Sequence, residues 1–322
     1  MKYLRNNQEI RSLNEWPRPK GGEKYWKDLR SAKELAKVCI SRTNHLGDLS
    51  DIVYLLSNIF DNVHLAEGRP EHKVRLDNYS GETSNIDLMI YGKAKEKSLV
   101  IGVEAKADEG FGPIIKEYYA NKSGTSSNVP KRINALCKAI FAQPLTPDSP
   151  VGELRYQLLT GIAGTLIEAQ SQRADAAIFL VYEFISSIVD EQKVKQNEND
   201  FIAFLKALSI HNEDIINYRL YGPITVPGNG LISSSIPLYL GKIQHEIDED
   251  SLSFSLQDYH FDLNRQIIRI NNGPKIPQIY IEIFDERIDD ELPDFMLTLN
   301  KEGFYQLKNA LLWAEKTFNP TD

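Results

Sequence analysis

Cysteine is scarce in this sequence, and its scarcity excludes a disulfide framework. The chain has 322 residues but only 2 cysteines, Cys39 and Cys137, and each stands within an apolar helical pattern. Disulfide-dependent secreted domains and cysteine-ligated zinc sites need more cysteines at closer spacing. We therefore expect both residues to be buried thiols.

Paired histidines and long apolar runs are missing as well. The 6 histidines show no H-x-H or H-x-x-x-H spacing, so the sequence offers no ligand set for a catalytic zinc ion. No apolar run reaches the ~20 residues of a membrane-spanning helix, and the N-terminus lacks the apolar segment of a signal peptide. We expect a cytoplasmic protein with no membrane partner.

The negative charge of the chain is confined to its C-terminal part. The net charge is −8, yet residues 246–322 hold 16 acidic and 7 basic residues, whereas residues 1–245 hold 29 acidic and 30 basic residues. A near-neutral domain can carry a basic groove for phosphates, and an acidic one repels them. We predict two domains, 1–245 and 246–322. The acidic domain suits a protein partner, a homodimer contact or self-inhibition by covering a basic groove.

The order of the apolar patterns predicts an α/β fold for the first domain and a small α+β fold for the second. Predicted helices cover residues 31–40, 50–60, 113–120, 130–141, 154–173 and 200–208, and predicted strands cover residues 72–77, 84–92, 98–106, 176–184, 217–226 and 235–243. In the second domain, strands are predicted at residues 253–262, 265–270, 277–286 and 294–300, before a helix at 301–318. Glu67 and Glu71 are interpreted as solvated acids of a loop before the first strand. Gly161 and Gly164 are expected to allow close packing of a helix on the sheet.

Two strands joined by a lysine-rich turn, within residues 85–112, form the most informative segment. If Tyr91 pairs with Val100, one face of the hairpin is wholly apolar. That face would comprise Ile86, Leu88, Ile90, Ile101, Val103 and Ala105.

The opposite face of this hairpin collects two acids and a lysine. Asp87 lies opposite Glu104, and Lys106 follows two residues later on the same side. At a Cα separation of about 4.5–5.5 Å, two ionised carboxylates repel each other by about 3 kcal/mol at an effective dielectric of roughly 20. Mg²⁺ or Mn²⁺ would offset this repulsion. A buried salt-bridge cluster with no metal is the alternative.

Asp87 and the later Glu104-Ala105-Lys106 on an apolar strand resemble the D…(D/E)-x-K core of the PD-(D/E)XK nuclease superfamily. The predicted order of elements matches its α-β-β-β-α-β core, and the segments GVEAKADEGFG and LRYQLLTGIAGTLIEA look like an uncharacterised branch of it. No proline precedes Asp87, where Ile86 stands. The resemblance covers roughly residues 20–240 and implies a restriction-endonuclease-like fold, a mixed central sheet flanked by helices.

This resemblance also implies a function. Asp87 and Glu104 would bind Mg²⁺ or Mn²⁺, and Lys106 would position the attacking water and stabilise developing charge. The implied activity is metal-dependent hydrolysis of phosphodiester bonds in nucleic acid, with DNA as the expected substrate, although the sequence itself does not separate DNA from RNA. The alternative is a catalytically inactive nuclease-fold protein that acts as a binding or interaction module.

Two further residues are candidates for the site. Some members of the superfamily add a first-helix glutamate to the metal, which would be Glu34 here, although Ser31 and Glu34 also fit a capping box. Gln157 resembles polar helix positions that other branches direct at the active site, and a solvated helix face is the alternative. Lysines of the hairpin turn, such as Lys93 and Lys97, are candidate phosphate contacts or merely solvated.

Overall fold

The computed structural model describes residues 1–19, 22–42, 49–79, 83–186, 190–210 and 217–247, and three strands within residues 266–299. The chain divides into two compact units, Met1–Ser251 and Leu252–Asp322. The division lies six residues after the predicted boundary. The strand predicted at 253–262 and the helix predicted at 301–318 lie outside the described residues.

The first unit is built on a mixed sheet. Its strands are β1 (Lys2–Arg5), β2 (Gln8–Ile10), β3 (Val63–Val74), β4 (Ser84–Ala94), β5 (Lys97–Lys106), β6 (Ala176–Ile185), β7 (Arg219–Ile224) and β8 (Leu238–Glu246). These eight strands lie in the order β2-β1-β3-β4-β5-β6-β8-β7. Strands β3, β4 and β5 form an antiparallel meander, and β5, β6 and β8 run parallel.

Helices cover both faces of this sheet. They are α1 (Ser31–Arg42), α2 (Ser50–Ser57), α3 (Ile115–Lys122), α4 (Val129–Phe141), α5 (Tyr156–Gln172) and α6 (Glu191–Ala207). One apolar core contains residues of α3 to α6, and a second core on the other face contains residues of α1 and α2. Cys39 and Cys137 are both free and buried, as predicted. The α/β class, with a mixed sheet between helices, is therefore confirmed.

In the second unit, the structure describes three antiparallel strands. These are β9 (Gln266–Asn272), β10 (Ile279–Asp285) and β11 (Phe295–Leu299), with β10 in the centre. They correspond to the predicted strands at 265–270, 277–286 and 294–300.

Several predicted boundaries in the first unit are wrong. Strand β3 begins at Val63, nine residues before the predicted start, and contains Pro70 paired with Leu88. Glu67 and Glu71 therefore lie on a strand rather than in a loop. Helix α6 begins at Glu191, nine residues before the predicted start at residue 200, which was placed too late because the first half of the helix is polar and lacks an apolar stripe. Asp190 caps this earlier start by accepting a 2.9 Å hydrogen bond from Gln192 N. Strands β1 and β2 were not predicted.

The second predicted helix is also shorter than its apolar pattern. The helix was predicted to run to residue 60, but α2 ends at Ser57, and Ile59 beyond it is 44% exposed.

Glycines let α5 lie close to the strands that carry the candidate site. A Cβ atom on Gly161 would lie 2.5 Å from Cε2 of the fully buried Phe179 ring, closer than real Cβ contacts allow. On Gly164 it would lie 3.2 Å from Cδ1 of Ile86. These contacts confirm the packing role predicted for both glycines.

We predict that Gly161→Ala lowers the free energy of unfolding by about 1–2 kcal/mol, because overpacking against Phe179 exceeds the roughly 1 kcal/mol gain in helix propensity. Urea denaturation measures the change. Gly164→Ala is the matched control: it gains the same helix propensity, and its Cβ atom would meet the end of the Ile86 side chain at 3.2 Å and Val74 Cβ at an ordinary 3.7 Å. Equal stabilities of the two variants would contradict the proposed close contact.

Candidate active site

The β4–β5 hairpin has the predicted register up to its open end. Tyr91 pairs with Val100, and the last regular pair is Leu88 with Val103. Beyond this pair, Oδ2 of Asp87 accepts a 2.8 Å hydrogen bond from Ala105 N. The Asp87 side chain thus bonds to the neighbouring strand where the regular pairing ends, beside Glu104.

The predicted apolar face is wrong at Ile86. This residue packs with Met89 in the core on the α5 side, whereas Leu88 and Ile90 pack in the core on the other face. The alternation therefore reverses around Asp87. The residue beside it on β3, Glu71, has a left-handed backbone with φ of 52°. Such a conformation in a charged residue inside a strand marks a local constraint of the kind found at functional sites.

Glu104 and Lys106 form a buried ion pair. Lys106 Nζ donates to Oε1 of Glu104 at 2.6 Å, and the two side chains are only 4% and 5% exposed. The Phe111 ring covers the ammonium at 5.3 Å. Although burial opposes it, the charges of Glu104 and Asp87 raise the pKa of Lys106. Lys106 is therefore protonated at neutral pH.

Carboxyl groups outnumber the ammonium at this site. Burial raises the pKa of Asp87 well above its ordinary range, and the charge of Glu104 raises it further. Burial likewise raises the pKa of Glu71 to about 7; Glu104 adds to the rise, and hydrogen bonding to Asn85 opposes it. One lysine thus faces three carboxyl groups, and the pKa values of two of them, Asp87 and Glu71, are raised.

The donor set fits a hydrated hard cation better than a closed metal cage. Within the described part of the chain, no three His, Cys, Asp or Glu side chains form a group that could hold a metal ion. Mg²⁺ is commonly bound through one or two carboxylates, with waters and substrate oxygens completing its octahedron. Asp87 and Glu104 supply such a pair, and the unfavourable ionisation of Asp87 is what a divalent cation would relieve.

Glu34 lies at the start of α1. Its Oε1 accepts hydrogen bonds from Leu29 N and Lys37 Nζ, both at 2.8 Å. The predicted reciprocal capping box does not form, because Glu34 N donates to Arg30 O at 3.0 Å and the Glu34 carboxylate accepts from Leu29 N rather than from Ser31 N. The Ser31 hydroxyl donates to Glu109. These contacts favour a role for Glu34 in fixing the helix start, and its role as a metal ligand stays a prediction.

Gln157 lies in the first turn of α5. A Cβ atom on Gly112 would contact Gln157 Cγ at 3.5 Å, and Gly112 follows the Phe111 that covers Lys106. Gln157 is therefore close to the wall of the site, and its catalytic role stays a prediction.

The lysines of the hairpin turn lie at the far end of β4 and β5. Lys93 pairs with Ser98, six residues along β4 from Asp87. At about 3.3 Å per residue this separation is roughly 20 Å, so the turn lysines lie far from Asp87.

A second buried ion pair lies next to Glu104 and Lys106 in the sheet, and the sequence did not predict it. Glu183 on β6 pairs in register with Lys106, is fully buried, and lies 2.8 Å from Lys242 Nζ of β8. Asn197 of α6 and Gln244 donate to the same carboxylate at 3.3 and 2.9 Å. A glutamate within the apolar run AAIFLVYEF was the available signal.

A family model described as a domain of unknown function, DUF6946, matches residues 9–247, about three quarters of the chain. The chain belongs to the DUF6946 family. The DUF6946 region contains both buried ion pairs and Asp87. No curated protein and no solved structure matches the chain. None of the helices that the structure describes combines the length and apolar character needed to cross a membrane.

The raised pKa of Glu71 predicts a dependence of stability on pH. Between about pH 4.5 and about pH 7, the unfolded chain has lost the Glu71 proton and the folded protein still holds it, so stability falls as pH rises. Glu71→Gln removes the titrating carboxyl group, so the variant should not lose stability through this group as the pH rises. We predict that the variant gains up to about 3 kcal/mol relative to wild type across that interval, measured by urea denaturation at each pH.

The control for this pH series is the exposed Glu96→Gln in the hairpin turn, which should leave the pH profile of wild type unchanged. Parallel profiles for Glu71→Gln and wild type would contradict the burial of the Glu71 carboxyl.

Proposed function

We propose that this DUF6946 protein is a metal-dependent nuclease that hydrolyses phosphodiester bonds in nucleic acid, with DNA as the expected substrate. The observation that carries the proposal is the meeting of Asp87, Glu104 and Lys106 at the open end of the β4–β5 hairpin. The helix–meander–helix–strand order of the first unit, which agrees with the resemblance to the PD-(D/E)XK superfamily, supports it.

In this proposal Asp87 and Glu104 hold Mg²⁺ or Mn²⁺. Such an ion, when bound, activates water and neutralises charge on the phosphate oxygens. The two carboxylates fix its position on adjacent strands of a rigid sheet, where the backbone hydrogen bond to Asp87 limits the freedom of that side chain.

Lys106 acts through its charge. Because neighbouring carboxylates raise its pKa, the ammonium is a poor general base at neutral pH. A fixed ammonium can orient water by donating hydrogen bonds and can offset the negative charge that develops on the phosphorus oxygens. Its contact with Glu104 holds it beside the carboxylate assigned to the metal.

A second candidate is a binding module that retains this fold without turnover. The observation that favours it is the closed Glu104–Lys106 ion pair, since both partners already satisfy each other at 2.6 Å. In that case the pair is structural, and removing the lysine strands a buried carboxylate.

Variants of the three residues separate these functions. We predict that Asp87→Asn or Glu104→Gln abolishes both a Mn²⁺-dependent rise in Tm and plasmid nicking, because the cation loses its anchor. Lys106→Met should keep the Mn²⁺ response and lose cleavage by about 10²–10³-fold, the usual effect of removing one preorganised donor. Calorimetry measures the Mn²⁺ response, and cleavage is assayed on plasmid and on single-stranded DNA.

The control is Asp61→Asn, an exposed acid paired with Lys95 near the hairpin turn, which should behave as wild type. The nuclease proposal fails if wild type shows no Mn²⁺ response and cleaves neither plasmid nor single-stranded DNA. If, in addition, Lys106→Met loses about 3–5 kcal/mol of stability, the structural ion pair is the better account.

A further inference from the structure

A basic cavity adjoins the candidate active site on the β1–β3 side of the sheet. Its volume is about 760 Å³, and its walls come from the end of β1, the segment 69–73 of β3, and the loop before β4. Glu71 and Asn85 belong to these walls, and their side chains are hydrogen-bonded to each other. The charge of Glu71 also acts on Asp87, and that of Glu104 acts on Glu71. Glu71 therefore belongs both to the cavity and to the acidic site formed with Asp87 and Glu104.

Two cations of this cavity are available to a ligand. Arg5 and Lys73 are exposed and have no ion-pair partner among the described residues. Their charges act on Glu71 and oppose its raised pKa, which places both near the boundary with the acidic site. Lys73 lies two residues after Glu71 on β3, and Arg5 ends β1.

Two further arginines are held in place by the protein. Arg69 pairs with Glu67 at 2.5 Å and lies 4.8 Å above the Tyr91 ring. Arg18 pairs with Glu23 at 2.7 Å and stacks on Trp26 at 4.3 Å. These contacts fix planar guanidinium groups in the wall without removing all of their donors, an arrangement suited to phosphate oxygens.

The size of the cavity limits its ligand. Its volume falls within the range of about 300–1,000 Å³ typical of small-ligand pockets. A cavity of this volume cannot enclose a duplex, whose major groove alone is wide enough to admit an α-helix. An unpaired strand can enter and present its phosphates to the basic wall.

We infer that this cavity binds the phosphodiester backbone of single-stranded nucleic acid next to the phosphate that reacts. The inference rests on the proposed nuclease function, and it adds a substrate class: strand ends or unpaired segments rather than intact duplex. Glu71, acidic and shared by both regions, marks the border between the basic wall that binds the backbone and the acidic site.

The test uses the full chain in EDTA, so that binding is measured without cleavage. Fluorescence anisotropy is recorded for labelled single-stranded DNA, single-stranded RNA of the same sequence, and a DNA duplex over a salt series. The double variant Arg5→Ala/Lys73→Ala should weaken single-strand binding by about tenfold or more. The slope of log K against log salt should fall by about 0.7 for each cation removed.

Lys93→Ala/Lys97→Ala is the matched control, because it removes two exposed lysines at the opposite end of the same hairpin. It should leave the slope unchanged. Thermal melts establish that both double variants are folded. Equal binding of DNA and RNA identifies the shared phosphodiester backbone as the ligand. A preference for one of them identifies which nucleic acid the cavity binds.

Four results would overturn the inference: no binding by wild type, an unchanged salt slope in the Arg5/Lys73 variant, an equal loss in the Lys93/Lys97 variant, or preference for duplex. The nuclease proposal fails separately. Single-strand binding that depends on Arg5 and Lys73, without cleavage in Mn²⁺, keeps this inference and removes the nuclease. Cleavage in Mn²⁺ together with an unchanged salt slope in the Arg5/Lys73 variant keeps the nuclease proposal and removes this inference.

Discussion

The burial of an ammonium and a carboxylate side by side on one strand constrains the whole candidate site. Removing each ion from water costs several kcal/mol, and only close mutual contact and further hydrogen bonds offset that cost. Lys106 and Glu104 meet this requirement at 2.6 Å, with the Phe111 ring over the ammonium. The strand β5 that carries them lies between β4 and β6 and cannot shift without separating the pair from its neighbours.

The second ion pair, Glu183 with Lys242, extends this constraint across the parallel strands. Lys106, Glu183 and Gln244 are in register on β5, β6 and β8, each at or near the C-terminal end of its strand. Ligands of open α/β sheets bind in the crevice beyond these ends. The row formed by Lys106, Glu183 and Gln244 therefore lies at the edge of the sheet where this architecture offers room for a ligand. Asn197 and Gln244 satisfy Glu183, which lets a charge remain there fully buried.

Local periodicity predicted the parts of the site that lie within one hairpin. The pairing of Tyr91 with Val100 followed from matching apolar residues on two adjacent strands. The prediction was wrong at Ile86 because strict alternation cannot anticipate a reversal of side. It placed Glu71 in a loop because Gly68 and Pro70 are unusual in strands, although pairing with β4 overrides that preference. Glu183 was missed because sequence periodicity does not reveal which distant strands become neighbours.

The balance of charge bears on what the site is for. A structural salt bridge needs one acid for one lysine, and Glu104 already supplies it. Asp87 and Glu71 add carboxyl groups whose raised pKa values mean that their ionised forms cost stability at neutral pH. Neutral side chains of similar size would avoid that cost. In the nuclease proposed above, a divalent cation held by Asp87 and Glu104 would offset this cost; in the alternative binding module, the cost would remain.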